Sequence, residues 1–95
     1  MKVKVRSIAL VRQLLGHDQL ELELPEEATV ADVLARLAET GGPKLETILA
    51  EPKEKSAHAP LRVMVNGRDI HVLQDRETTL GEGDDILVFI PIAGG

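Results

Sequence analysis

The chain contains no cysteine among its 95 residues. Without thiols it can form no disulfide, no thiolate zinc site and no cysteine nucleophile of its own. Aromatic residues make up 1% of the sequence, a single Phe89, so single-stranded nucleic acid finds no series of rings to stack on. The core must therefore be built from aliphatic side chains.

Basic residues are also scarce, since 11 Lys and Arg stand against 16 Asp and Glu, for a net charge of −5. Affinity for phosphate backbones comes largely from clustered cations, so we expect no nucleic-acid partner. No apolar run approaches the roughly 20 residues of a membrane-spanning helix. Residues 2–5 alternate Lys and Val instead of forming the apolar block of a signal peptide. We expect a cytoplasmic protein with no membrane partner.

The length and composition predict a single domain over residues 1–95. The sequence is 43% hydrophobic and 28% charged, which is typical of a globular chain and argues against disorder or a fibrous repeat. Ninety-five residues suffice for one core and are too few for two ordinary domains.

The first quarter of the chain predicts a strand, a short helix and a second strand. Residues 2–10 begin with strict alternation, and residues 11–15 follow with helical spacing up to Gly16. Leu20, Leu22 and Leu24 then alternate with Glu21 and Glu23. The short connection favours an antiparallel hairpin of the two strands.

The main helix is predicted to begin after Thr29. Asp32 follows three residues later, a variant of the capping box that suits a helix N-terminus. Apolar residues then recur at helical spacing until Gly41 and Gly42, and Pro43 prevents continuation. This amphipathic helix must bury its apolar stripe on a sheet.

Residues 43–60 are interpreted as an exposed loop. The segment is charged and interrupted by proline around Pro52. Leu45, Ile48 and Leu49 nevertheless have the spacing of one further helical turn.

A second hairpin is predicted around Asn66 and Gly67. Leu61, Val63 and Val65 alternate before this dipeptide, and the return strand is expected to carry Ile70 and Val72. Residues 86–90 are apolar at successive positions, which predicts a central strand covered on both faces. The order of hairpin, helix, hairpin and final strand favours an α+β, ubiquitin-like β-grasp fold. We expect a mixed sheet of four to five strands with one main helix packed on one face.

The last five residues, 91–95, are predicted to form a flexible tail after the most apolar strand. A frayed terminus is the ordinary interpretation of such a segment. However, its base is anchored, and Gly94 and Gly95 lack the side chains that would prevent passage through a narrow channel. An unshielded carboxylate at this position suits activation and transfer inside a partner's active site. The residues alone leave both interpretations open.

Several of these segments resemble the MoaD/ThiS family of sulfur carriers, and most nearly its MoaD branch, the small subunit of molybdopterin synthase. The resemblance rests on residues 65–68, the 79–84 turn, residues 87–91 and the closing Ala93-Gly94-Gly95. The segments at 11–16 and 29–34 also lie where that family has similar ones. It covers almost the whole chain except the segment 43–60.

The resemblance implies a sulfur carrier that is not catalytic alone and binds no cofactor itself. An adenylating, MoeB/ThiF-like enzyme would use ATP to convert the Gly95 carboxylate to a glycyl adenylate. Sulfur would then displace AMP and leave a thiocarboxylate, with Gly94 giving clearance. The carrier would act as the small subunit of a sulfurtransferase, donating sulfur to a pterin inside a large MoaE-like subunit of molybdopterin synthase.

The resemblance leaves the acceptor of the sulfur open. Related carriers serve thiamin synthesis, tRNA thiolation or tungsten cofactor, and others are attached to lysine as protein modifiers. This chain has Ile90-Pro91-Ile92 where the family commonly has two consecutive prolines. An interaction domain with an incidental tail is the third possibility.

A carrier that binds two enzymes needs a docking surface of apolar residues rimmed by charge. The predicted docking residues are Leu61, Val63, Phe89, Pro91, Ile92 and Ala93. No metal site is expected, because the three histidines have no ligand spacing. Asp84-Asp85 and the Gly81–Gly83 segment are interpreted as turns.

Overall fold

The computed structural model describes residues 1–50 and 61–90. They form a five-stranded mixed sheet with helices on one face. In chain order the elements are β1 (Lys2–Ser7), α1 (Ala9–Leu15), β2 (Gln19–Glu23), α2 (Val30–Gly41), α3 (Pro43–Ala50), β3 (Arg62–Val65), β4 (Arg68–Asp69) and β5 (Asp85–Phe89). Two short 3₁₀ turns, Ile70–Val72 and Asp75–Glu77, connect β4 to β5.

The sheet order is β2-β1-β5-β3-β4, so β5 occupies the centre. It pairs parallel with β1, where Val5 lies beside Ile86, and antiparallel with β3, where Val63 lies beside Val88. β1 and β2 form the predicted antiparallel pair. This topology confirms the β-grasp fold that the order of elements predicted.

The core lies between the sheet and the helices. In β1, Val3 and Val5 are 1% exposed, because alternate side chains of the strand face the helices. α2 contributes the largest helical part of the core. Its buried side chains are Val30, Val33, Leu34 and Leu37. The core is entirely aliphatic among the described residues, as the composition requires.

The ends of the first two helices agree with their predicted signals. α1 ends at Gly16, which has a φ of 85° and donates its N–H to the Arg12 carbonyl oxygen at 2.9 Å. At the start of α2 the Asp32 carboxylate accepts the Thr29 N–H at 2.8 Å and the Thr29 hydroxyl at 3.2 Å. The carboxylate thereby satisfies a backbone donor that the helix leaves free.

The exposed loop predicted for residues 43–60 is wrong in its first part. Pro43–Ala50 form a helix, α3, in which Leu45 is 0% and Leu49 2% exposed. Pro43 stops α2 but also suits the first position of a new helix, where its missing N–H costs nothing. The remainder of that segment, residues 51–60, lies outside the described residues.

Two further expectations are corrected. The return strand of the second hairpin ends at Asp69, and Ile70 and Val72 belong to a 3₁₀ turn. β5 is central, but its two faces differ, because the described helices lie on the side of Ile86 and Val88, which are buried, whereas Leu87 and Phe89 on the other side are only half-buried. The Asn66-Gly67 turn is confirmed, with φ values of 52° and 83° that match a two-residue hairpin.

Among the described residues, no helix combines the length and apolarity needed to cross a bilayer.

Candidate functional site

The candidate site begins where β5 ends. Phe89 is the last residue of β5, and Ile90, 6% exposed, is the last described residue of this segment. β5 is held on both sides, with Val88 beside Ser7 of β1 and Phe89 beside Arg62 of β3. The last strand before residues 91–95 is therefore the central strand of the sheet and is paired on both sides.

The predicted reactive residues, Gly94 and Gly95, lie outside the described residues, as do Pro91, Ile92 and Ala93. Their roles remain predictions. The structure describes the chain that precedes them, which is the end of β5 and the sheet face beside it.

The face of the sheet away from the helices carries an apolar cluster next to this strand end. We call it the open-face cluster and define it as Ile8, Met64, Leu87 and Phe89. Leu87 lies opposite Met64 across β5 and β3. Ile8 is 48% exposed, and the other three are half-buried, although none of the helices within residues 1–50 and 61–90 covers them. Apolar side chains left uncovered on a sheet face are typical of a protein-binding surface.

Phe89 is the predicted docking residue that the structure places on this surface. Val63 instead points into the core and is 3% exposed, and Leu61 is half-buried against the same core. The reason is the parity of β3, since Arg62 and Met64 face away from the helices while Val63 and Val65 face them. The prediction that Val63 contacts a docking partner is therefore wrong, because the side chain is buried.

Sequence reasoning missed Ile8, Met64 and Leu87 as members of the surface. The signal was present for Leu87, which is two residues from Phe89 and therefore shares its face. For Met64 the signal appears only once the register of β3 against β5 is known. For Ile8 it requires knowing that the extended backbone of β1 continues to this residue before α1 begins.

Two arginines border the open-face cluster, and each is held by a carboxylate. Nε of Arg6, beside Leu87, donates to Oδ1 of Asp85 at 2.9 Å. Nε and a terminal nitrogen of Arg62, beside Phe89, lie 2.9 and 2.7 Å from Oδ2 of Asp69. The two charge-assisted contacts of Arg62 favour one orientation of its guanidinium, whereas Arg6 is held by a single contact.

Asp69 is held as an anion. The His71 backbone N–H donates to its Oδ1 at 2.9 Å, and this hydrogen bond is the main reason that the pKa of Asp69 is lowered. Partial burial opposes the change, whereas the hydrogen bond and charge of Arg62 add to it. Both carboxylate oxygens are thus occupied within the fold.

The Asp84 carboxylate is a turn element. Its Oδ2 accepts the Gly81 N–H at 2.7 Å and its Oδ1 accepts the Asn66 side-chain amide at 3.0 Å. Within residues 1–50 and 61–90, no group of three or more His, Asp or Glu side chains is arranged to hold a metal ion.

Comparison with known proteins identifies the family of the chain. Residues 5–95 match the ThiS family. Small archaeal modifier protein 3 of Haloferax volcanii is 36% identical over 96 residues, covering 100% of both chains. Small archaeal modifier protein 1 of Methanosarcina acetivorans superimposes with a TM-score of 0.78 at 30% identity, covering 99% of this chain and 96% of its own.

A third similar structure is a Pyrococcus furiosus protein provisionally named molybdopterin converting factor, subunit 1. It has a TM-score of 0.73 at 32% identity and covers 97% of this chain and 99% of its own. The family match reaches from β1 to the Gly-Gly end of the sequence and includes the whole site described above. The chain thus belongs to the ThiS family and is a ubiquitin-like carrier of the ThiS/MoaD type.

Proposed function

We propose that the chain carries sulfur for the synthesis of molybdopterin, with Gly95 as the residue that is activated. The observation that carries the proposal is the anchored end of β5 beside the open-face cluster, which would let a partner hold the folded domain while it processes the tail. The family match through Gly95 and the similarity to the Pyrococcus furiosus protein support the same function.

The proposed chemistry takes two steps on a partner of the MoeB/ThiF type. A Gly95 carboxylate oxygen attacks the α-phosphorus of ATP, and pyrophosphate leaves, which gives an acyl adenylate. A sulfur nucleophile then attacks the carbonyl carbon, and AMP leaves. The net change is one oxygen replaced by sulfur, because the departing AMP keeps the carboxylate oxygen.

The resulting thiocarboxylate would enter a MoaE-like subunit and donate its sulfur to a pterin precursor. Gly94 and Gly95 would fit a narrow channel, because neither carries a Cβ. Pro91, Ile92 and Ala93 would span the distance between the open-face cluster and the reacting atoms. A protein with this role would work in the cytoplasm, where ATP is available.

A second function is favoured by the similarity to small archaeal modifier proteins. In that case a lysine amine on another protein, instead of sulfur, captures the same acyl adenylate and forms an amide as AMP leaves. Both functions share the activation step and differ in the nucleophile.

The test of activation uses the intact chain, ATP, a sulfide source and each adenylating enzyme purified from the same organism. We expect a mass increase equal to one oxygen-to-sulfur exchange, and loss of this increase in a chain that lacks Gly94 and Gly95. If no adenylating enzyme of the organism produces an adenylate or the mass increase, the proposed function is wrong.

The two functions are separated in cells. Deletion of the gene should abolish molybdopterin, and a trypsin digest of the wild-type extract should contain no tail remnants on lysine. Lysine adducts together with normal molybdopterin in the deletion strain would instead establish the modifier function.

A further inference from the structure

We propose that Asp69 is a positioning residue that holds Arg62 as a fixed hydrogen-bond donor for a partner protein whose docking surface is an apolar pocket bordered by carboxylates. The inference deepens the proposed function, on which it rests, by naming the chemistry of the surface that receives the open-face cluster.

The first step is the direction of the ion pair. The Arg62 side chain is 47% exposed, whereas that of Asp69 is 17% exposed. Asp69 has both oxygens engaged, by the His71 N–H and by Arg62. The pair therefore presents its cation outward and keeps its anion inward, in a chain whose net charge is −5.

The second step concerns the donors that remain. A guanidinium has five N–H groups. Nε and one terminal nitrogen of Arg62 point at Asp69, which leaves the remaining N–H groups available to a partner. Their direction is fixed because the Asp69 contact fixes the guanidinium plane, and a carboxylate is the acceptor that such a fork matches best.

The third step is the position of this donor. Arg62 pairs with Phe89, the last residue of β5, so it lies at the base of the proposed reactive tail. On the other side of β5, Arg6 pairs with Leu87 and is held by Asp85. Two strand spacings of roughly 4.8 Å and an offset of two residues along β5 separate Arg6 from Arg62, so their backbones lie about 12 Å apart on either side of the apolar cluster.

A partner that buries Leu87 and Phe89 must also receive both guanidiniums. If it offered only apolar groups there, it would remove water from the guanidinium N–H groups that Asp85 and Asp69 leave free, without replacing those hydrogen bonds. Carboxylates beside the apolar pocket would meet that demand and fix the register of docking.

The test measures adenylation by whichever adenylating enzyme of the organism activates the wild-type chain. Arg62→Gln should raise the KM for the carrier about 10-fold and change kcat less than about 2-fold, as expected for loss of a charged contact made in docking. Arg68→Gln is the matched control. It removes the same charge from the same hairpin, but Arg68 pairs with Val65 and so belongs to the other side of the sheet.

Asp69→Asn separates positioning from net charge. The variant makes the face more basic, so a purely electrostatic attraction predicts a lower KM. Positioning predicts a higher KM, because the asparagine amide cannot accept from Arg62 at the oxygen it replaces. Urea unfolding of each variant shows that the domain is folded in the assay.

The outcomes are distinct. A KM raised by Arg62→Gln and by Asp69→Asn, but not by Arg68→Gln, supports the inference. Unchanged KM for Arg62→Gln, equal effects of both arginine variants, or a lowered KM for Asp69→Asn would overturn it and leave the proposed function intact. Sedimentation showing a dimer that Arg62→Gln dissociates, with no change in KM, would assign the face to a second copy of the chain. A wild-type chain that no enzyme adenylates removes both proposals.

Discussion

The side chains of Asn66 and Asp84 are joined by a 3.0 Å hydrogen bond from the Asn66 amide nitrogen to Oδ1 of Asp84. The side-chain oxygen of Asn66, Oδ1, in turn accepts the Asp85 backbone N–H at 3.0 Å. One residue of the β3–β4 turn thereby fixes the point at which β5 begins. The register of the strand that precedes the tail depends on this contact.

Substitution of Asn66 should destabilise the domain. Asn66→Ala removes both side-chain hydrogen bonds. It also places alanine at a φ of 52°, in the left-handed region that asparagine tolerates better. We expect the free energy of unfolding to fall by about 1–3 kcal/mol, measured by urea denaturation. Asn66→Gly keeps the backbone conformation and should cost less. An equal loss in both variants would show that the left-handed conformation contributes nothing.

Truncation of Leu45 should be among the most damaging changes in the second quarter of the chain. The side chain is 0% exposed, so Leu45→Ala should lower the free energy of unfolding by about 2–5 kcal/mol. Lys44→Ala, at an exposed position of the same helix, is the control and should stay within about 0.5 kcal/mol of wild type. Similar small effects of both would mean that α3 does not belong to the core.

Asp69 should make the free energy of unfolding depend on pH in the acid range. Its pKa in the folded protein lies below the ordinary value of 3.8, so its contribution is complete above that value. The contribution is lost as the pH falls below 3.8 and through the lower pKa of the folded state. The difference in unfolding free energy between wild type and Asp69→Asn should therefore be constant near neutrality and shrink below about pH 4. A difference that grows on acidification would contradict the direction of the pKa change.

Truncation of Phe89 should weaken docking more than folding. Phe89→Ala removes the largest apolar side chain of the open-face cluster, and we expect the carrier's KM in adenylation to rise about 10-fold or more. Val72→Ala is the control, because Val72 is 73% exposed but lies in a 3₁₀ turn outside the cluster. Equal KM values for the two variants would exclude the open-face cluster as the docking surface.

Most of the fold could be predicted from local signals that agree with the final packing. Thr29 and Asp32 mark the start of α2, Gly16 marks the end of α1, and Asn66-Gly67 marks the second hairpin. Each of these signals acts over a few residues, so the sequence carries it directly.

The errors arose where tertiary packing decides between two local possibilities. Pro43 can end one helix or begin another, and only the burial of Leu45 under α2 selects the second. Likewise, the apolar run of β5 is compatible with burial on both faces or on one. The open-face cluster and its arginines emerge only from the register of β1, β5 and β3, which no single segment contains.

The pairing of β1 with β5 joins residues 2–7 to residues 85–89. A chain cut or stalled before residue 85 would leave β1 and β3 with facing rows of unbonded amides and carbonyls where β5 belongs. In such a fragment another extended segment could pair with the exposed edges of β1 and β3. The strand that precedes residues 91–95 is therefore also the strand that completes the sheet.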